Sequence, residues 1–409
     1  MIDEIELRTP TLIELRTLRK VINRAFGEET AEAAFDEGLE SFEVDRSVAA
    51  FDGADPVAMS GADSFRLTVP GRREVAAAGI TAVAVSPSHR RRGILTRMMR
   101  WLIDDARRRG DPIAILSASE GAIYQRFGYG LGTYEGSFEI DRRSVAFERP
   151  PPVDGRIRMP DADEALGSFP TIYEAVRRRL PGALTRSEDR WRSTLRDADW
   201  NRWGRGPKFL ALLEVGDEPA AYVIYHVKDD WDERGPKNRL EVMELLGRDA
   251  ASEQAMWRWA LDIDLVATIK GSRQPIPHPL ILQLSEPRRL GLHAKDGLWL
   301  RIVELPAALE ARGYGADGRL VFDMTDDFCP WNAGRWALTV SGGTPSIGPA
   351  EAAPDVRLDA ADLACVYLGA VRFADLAAAG RVEPCHEEAV GLADRMFSAD
   401  RAPWCSTRF

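Results

Sequence analysis

Three consecutive arginines and a glycine, Arg90–Arg91–Arg92–Gly93, stand between the apolar run AVAV (82–85), closed by Ser86 and Pro87, and the segment ILTRMMRW. Arginine presents a planar, permanently charged fork that matches phosphate oxygens. The first turn of a helix adds N–H groups without internal partners and the positive end of the helix dipole, which together bind anions. A glycine at the junction lets the backbone approach a ligand with no Cβ in the way. Strand, turn and helix start at this spacing read as a cradle for a compact polyphosphate; a solvated arginine cluster is the alternative. The common nucleotide motifs do not compete, since neither GxxxxGK[ST] nor a GxGxxG that follows a strand and opens a helix is present. A membrane-surface helix would need a basic polar face, whereas Ile94, Leu95, Met98, Leu102 and Ile103 suit packing on a sheet.

A second group lies downstream in SASEGAIYQRFGYG (117–130). Ser119 and Glu120 sit where a buried strand ends and a short helix begins, so they face either a ligand or the helix start as caps. Tyr124 follows on that helix and offers a phenol of ordinary pKa near 10, able to donate a proton only when positioned for it. Its alternative is a packed core tyrosine, the role assigned to Tyr129 and Tyr134. No histidine or acid of this region stands in a motif that marks a general base.

The whole chain, of 409 residues, carries a net charge of −10, which argues against a nucleic-acid binder. Cys329, Cys365, Cys385 and Cys405 form no CxxC pair, and the five histidines show no ligand spacing. Neither a metal site nor a disulfide framework is expected, and a cytoplasmic location is. The opening MIDEIELRTP is acidic rather than charged-then-apolar, so no export signal is expected from it, and no apolar run reaches the roughly 20 residues of a membrane span.

Elements must hold these groups in place. Residues 1–150 alternate strands and helices: an edge strand at 5–7, a helix at 12–26, and strands 47–52 and 56–71 about an Asp52–Gly53 turn. A buried strand at 78–87, a helix at 94–109 and a strand at 112–119 follow, implying a parallel crossover. GSFEIDRR (136–143) is expected to close that sheet. After the linker ERPPPVDG, residues 151–293 repeat the order loosely, with a helix at 169–182, two strands in 208–227 about Gly216–Asp217, a strand at 239–247, a helix at 251–263 and a strand at 279–284. The arginine–glycine loop is missing there, so this segment is expected to bind no polyphosphate. Residues 294–409 read as an α+β module with strands GLWLRIVEL and GRWALTVSGG and a helix capped by Asp359.

VAVSPSHRRRGI resembles the acetyl-CoA loop of GNAT N-acetyltransferases, with Arg90 and Gly93 matching and Leu95 where Gly or Ala is commoner. GAIYQRFGYG resembles the second signature of that family. The combination VxVxPxxRRRG…ASEGxIYxRFGYG is similar to the narrower Eis group of actinobacterial acetyltransferases, as are DGLWLRIVELPAALEARGY (296–314) and the final Phe409. The resemblance implies α/β and α+β architecture: two tandem GNAT-like domains, the central one degenerate, then a sterol-carrier-protein-like domain, in a homohexamer. It implies acetyl-CoA as cosubstrate, with no metal, held by Val83, Ala84, Val85, Arg91, Arg92, Gly93, Ile94, Leu95, Thr96, Ser119 and Glu120. Tyr124 becomes the general acid, and the α-carboxylate of Phe409 the base. The acceptor would be a small-molecule amine, with polyamines and aminoglycosides as candidates. Arg408 stands where the aminoglycoside-modifying members carry an acid, and Ala82 where an aromatic residue can line the pocket. Glu28 and Phe35 fall in the region of the acceptor channel. Protein-lysine acetylation, or a lipid-binding or scaffold role for the last module, are the alternatives.

Overall fold

The computed structural model describes residues 5–409. The chain forms two compact units: the first holds the segment up to Thr133 with Gly297–Pro403 and Thr407–Phe409, the second Tyr134–Asp296 with Trp404–Ser406.

The first unit is organised by a seven-stranded sheet. Its strands are β1 (Ile5–Arg8), β2 (Ser47–Asp52), β3 (Asp55–Val69), β4 (Arg73–Val85), β5 (Ile113–Ser117) and β6 (Gly130–Leu131), with Leu298–Ile302 inserted between β5 and β6. α1 (Leu12–Phe26) starts at a capping box, in which Thr11 and Glu14 satisfy each other's backbone N–H, and stops at Gly27 in the left-handed conformation. α2 (Glu32–Glu40) follows. β4 and β5 are parallel and joined through α3 (Ile94–Arg109), whose Met98, Met99, Leu102 and Ile103 are buried in the core under the sheet. α4 (Gly121–Gln125) follows β5.

The same unit carries a five-stranded sheet in the order Thr344–Pro349, Gly334–Ser341, Gly318–Thr325, Val356–Asp359, Glu383–Pro384. Helices Ala360–Tyr367, Phe373–Ala378 and Ala389–Phe397 accompany it, the first capped by Asp359 as expected. The second unit has its own seven-stranded sheet, in which Asn238–Gly247 and Val266–Gln274 form the parallel pair. Among the described residues no helix is long and apolar enough to cross a membrane.

Three strand assignments change. GSFEIDRR does not close the first sheet: Tyr134–Asp141 pairs antiparallel with Val266–Gln274 in the second. Leu298–Ile302 belongs to the first sheet, antiparallel to β5 and β6, rather than to the last module. PLILQL is not a strand; Leu280–Gln283 is one turn of helix with Leu280 buried and Leu282 exposed. A short apolar run fits a buried strand or a helix turn equally well. The sheets thus divide the chain differently from the segments 1–150, 151–293 and 294–409. Alternation identifies a strand but not its hydrogen-bond partner, and β5 takes its neighbour from far along the chain.

Candidate active site

β4 carries the first feature of the site. Its register with β3 slips so that Thr81 faces Gly61 and Ala84 faces Met59, leaving Ala82 and Val83 opposite Ser60. Ala82 accommodates this bulge at φ 52°, a conformation that disfavours larger side chains. On its other edge β4 pairs with β5 only from Ala77↔Ile113 to Gly79↔Ile115. Beyond Gly79 the strands part, although β4 keeps β3 as partner up to Val85↔Ala58. The backbone edge of Ile80–Val85 that faces β5 is therefore open to an amide-bearing ligand, which would pair with it like an added strand.

The loop after β4 is the second feature. Arg91 and Gly93 both adopt left-handed conformations, at φ 62° and 75°. Turns that contain such left-handed residues can direct successive N–H groups to one side as an anion-binding hollow. α3 begins directly afterwards with no side-chain cap, and its first internal bond runs from Arg97 N–H to the Gly93 carbonyl at 3.1 Å. The three arginines divide their tasks. Arg90 donates to the Ala25 carbonyl at the end of α1, at 3.1 Å. Arg92 lies 3.8 Å from Asp52, which also holds His89 Nε2 at 3.0 Å. Arg91, exposed at the loop tip, has no hydrogen-bond or ion-pair partner for its guanidinium among the described residues.

The opposite wall comes from β5 and α4. Glu120 occupies the N-cap position of α4, but its side chain makes no capping bond. Tyr124 is 6% exposed; burial, and next the Glu120 carboxylate, raise its phenol above the ordinary value. It therefore stays protonated through neutral pH, as a proton donor requires. α4 rests on Trp299 of the inserted strand: a Cβ on Gly121 would lie 2.6 Å from that indole, so only glycine lets the helix settle there. Tyr129 meets Tyr124 edge-on at 5.9 Å and is fully buried, in keeping with a structural role.

One cavity of about 840 Å³ joins these features. Val83, Ala84, Val85, Arg91, Gly93, Ile94, Leu95, Thr96, Ser119, Glu120 and Tyr124 all line it. Arg92 does not line it, because its side chain turns to Asp52. Ala25, Phe26, His89, Arg90, Ile123 and Arg126 complete the wall; apart from Arg90, the sequence reading did not single them out. Arg126 follows Tyr124 within the signature and could have been found as a second-wall cation, whereas nothing in the sequence brings the end of α1 to this place.

Phe409 stands outside that lining, on the face of β4. Its ring packs on Phe65 with centroids 5.0 Å apart, and a Cβ on Gly79 would lie 3.1 Å from it. It is thus seated at the residue where β4 and β5 separate. Asp63 faces Gly79 in the β3–β4 ladder and is 6% exposed, so a buried carboxylate shares that face with Phe65. Alternation along β3 could have put Asp63 and Phe65 on one face. Ala82 and Phe35 both pack against the apolar cluster of α1 and β3 that includes Leu18 and Met59. Glu28 closes the end of α1 by donating its N–H to the Asn23 carbonyl, and Arg408 is exposed.

An open strand edge for amides, a hollow of N–H groups with one uncommitted arginine for phosphates, and a buried phenol across the gap suit a pantetheine-bearing diphosphate. Together with the parallel β4–α3–β5 unit they define a GNAT-class acetyltransferase fold. Models of the acetyltransferase (GNAT) domain match residues 6–132 and 182–302, and a sterol carrier protein domain matches residues 305–406. An uncharacterized N-acetyltransferase of Streptomyces avermitilis is 39% identical over 363 residues, covering 88% of this chain and 89% of that protein. N-acetyltransferase Eis of Mycobacterium tuberculosis is 34% identical over 372 residues, 87% of each chain. The crystal structure of Eis1 from Mycobacterium abscessus superposes with a TM-score of 0.86 at 30% identity, covering 99% of this chain and 100% of that one. The chain belongs to the Eis family of GNAT N-acetyltransferases.

Proposed function

We propose that this acetyltransferase moves the acetyl group of acetyl-CoA onto an amine of a small polyamine acceptor, with Tyr124 as general acid and the Phe409 carboxylate as base. The observation that carries the reading is the single cavity in which the open β4 edge, the Arg91–Gly93 hollow and Tyr124 meet. The thioester supplies an already activated acyl group, so the chain's tasks are placement and proton control. The β4 edge beyond Gly79 is the place for the pantetheine amides. The N–H groups from Arg91 to Thr96, with the Arg91 guanidinium, are the place for the diphosphate.

Tyr124 would deliver its proton to the departing thiolate, and its buried, raised phenol suits a group that must not ionise beforehand. A carboxylate is a weak base for a free ammonium group; it serves after attack, when the amine nitrogen has become acidic, or through water. The Phe65–Gly79 seat supports this role for Phe409, because the ring is held where the two strands part. Aminoglycosides are included among the acceptors, with Asp63 as an acid on the same face.

The test is an acceptor screen with acetyl-CoA, scored by product mass so that the number of acetylated positions is read directly. Polyamines and aminoglycosides should gain acetyl groups, and Tyr124→Phe should lose most turnover. Transfer to lysine peptides with none to free polyamines would replace the acceptor assignment. Full turnover by Tyr124→Phe would remove the acid.

A further inference from the structure

The second unit contains a parting pair of strands like that of β4 and β5. Asn238–Gly247 and Val266–Gln274 run parallel from Asn238↔Val266 to Val242↔Gly271 and are unpaired with each other beyond it. Asn238–Gly247 meanwhile keeps Glu218–Lys228 on its other edge up to Gly247↔Ala221. In the first unit the corresponding gap borders the cavity.

Here both arms engage the Trp404–Ser406 segment of the chain itself. Trp404 Nε1 donates to the carbonyl of Arg273, on the Val266–Gln274 arm, at 2.9 Å, and the Trp404 N–H donates to Pro181 at 2.8 Å. Its indole is 4% exposed, in a cluster with Phe169, Trp191 and Leu246. Ser406 Oγ accepts a hydrogen bond from Arg186 at 3.0 Å. Arg186 in turn forks onto Glu244 of the other arm at 2.9 and 2.6 Å, and Tyr222 donates to the same carboxylate at 2.5 Å. The side chains of Arg186 and Glu244 are 3% and 6% exposed. A buried pair of this kind adds little net stability over apolar packing, and its best attested use is to fix register or position. Among the groups this pair holds is Ser406.

The start of the following helix is also changed. Where α3 opens with Gly93 and uncapped N–H groups, the helix Ala250–Leu261 opens with Asp249, whose carboxylate accepts from Ser252 N–H at 2.8 Å. A fixed carboxylate at that place repels phosphate.

We propose that the second acetyltransferase-like sheet is a holder for the chain's own Trp404–Ser406 segment, with Trp404 as the positioning residue for Phe409. This rests on the reading of Phe409 as the base. Three peptide units separate Ser406 from Phe409, so fixing the former limits the latter to about 10 Å of reach.

Trp404→Ala, Trp404→Phe and Ser406→Ala in the full chain test it, with a fourth variant adding one glycine after Phe409. Hydrogen exchange of residues 403–409, kcat, acceptor KM and acetyl-CoA affinity are measured on each. Trp404→Ala should speed exchange across the segment and lower kcat by about 10-fold or more, on the scale at which small misplacements cost 10²-fold. Acetyl-CoA affinity should stay within about twofold, since no residue lining the cavity has moved. Trp404→Phe, which keeps a ring but loses the bond to Arg273, should recover part of kcat. If Trp404→Ala does not fold, Ser406→Ala should give the same pattern in weaker form. Unchanged exchange in the folded variants overturns the holder. Faster exchange with unchanged kcat, when the added glycine does abolish turnover, overturns the positioning role alone. Full turnover with the added glycine overturns the base reading, and the positioning role with it, while leaving the exchange result to decide the holder.

Discussion

Replacing Arg91 by alanine should weaken acetyl-CoA binding more than the same change at Arg90 or Arg92, although the three are adjacent and identical in type. Arg90 is committed to the Ala25 carbonyl and Arg92 turns toward Asp52, while the Arg91 guanidinium is uncommitted at the cavity wall. A hydrogen bond to a charged group contributes about 1.5–3 kcal/mol, and the exposed loop tip discounts this to about 1–2 kcal/mol. That corresponds to roughly a 5- to 30-fold rise in Kd. Arg92→Ala removes only an exposed pair, and Arg90→Ala a bond to α1, so each should change Kd by less than about threefold. Calorimetric titration of the three variants with CoA at several salt concentrations is the assay. Arg91→Ala should also flatten the salt dependence, because one phosphate contact is lost. A larger loss at Arg92 than at Arg91 would refute the division of labour among the three side chains.

Tyr124→Phe should lower kcat by about 10²-fold or more, the usual contribution of a positioned acid, with CoA affinity unchanged by calorimetry. Because burial, and next Glu120, raise the phenol, any alkaline limb of kcat that reports Tyr124 should lie above that of an ordinary tyrosine, and Glu120→Gln should move it down; a Tyr124 limb below the ordinary tyrosine range would contradict this. Gly79→Ala places a Cβ 2.5 Å from Phe65 and 3.1 Å from Phe409. Overpacking of that kind costs about 1–3 kcal/mol, so the ring should leave its seat and kcat should fall, with partial recovery when Phe65→Leu is added. Near the start of Ala360–Tyr367, burial and the neighbouring Asp359 raise Asp362 to about 6. The folded state then binds a proton that the unfolded state, near 3.9, has lost. Stability should fall as pH rises from about 4 to about 6, and Asp362→Asn should flatten that slope in thermal melts.

The part of the site that could be read in advance is the part that is contiguous in the chain. Val83–Val85, the proline turn, Gly93 and the apolar face of α3 follow one another directly, and a local pattern suffices to join them. The helix boundaries at Leu12–Phe26 and Ile94–Arg109 were legible because their stops are glycines that adopt left-handed conformations. What remained hidden depends on partners distant in sequence. Nothing in LWLRI says that it will lie between β5 and β6 and support Gly121, and nothing in HRRRG says that two of its arginines will be drawn to Ala25 and Asp52. Even the charge of the arginine run was a poor guide to the fate of each side chain, since fixed acceptors nearby decide it.

The two sheets show why topology alone does not confer cofactor binding. Both part after a short parallel pairing and both send a helix away from the opened strand. In one, a bulge at Ala82 and left-handed Arg91 and Gly93 lead into a helix start that no side chain caps. In the other, Asp249 consumes the helix start and Trp404 consumes a carbonyl of the far arm. The difference rests on a handful of side chains at the strand–helix junction. An arginine–glycine loop introduced in place of Arg248–Asp249 would therefore still be expected to bind no CoA while Trp404–Ser406 remains, because that segment engages both arms, through Arg273 on one and through Arg186 and Glu244 on the other.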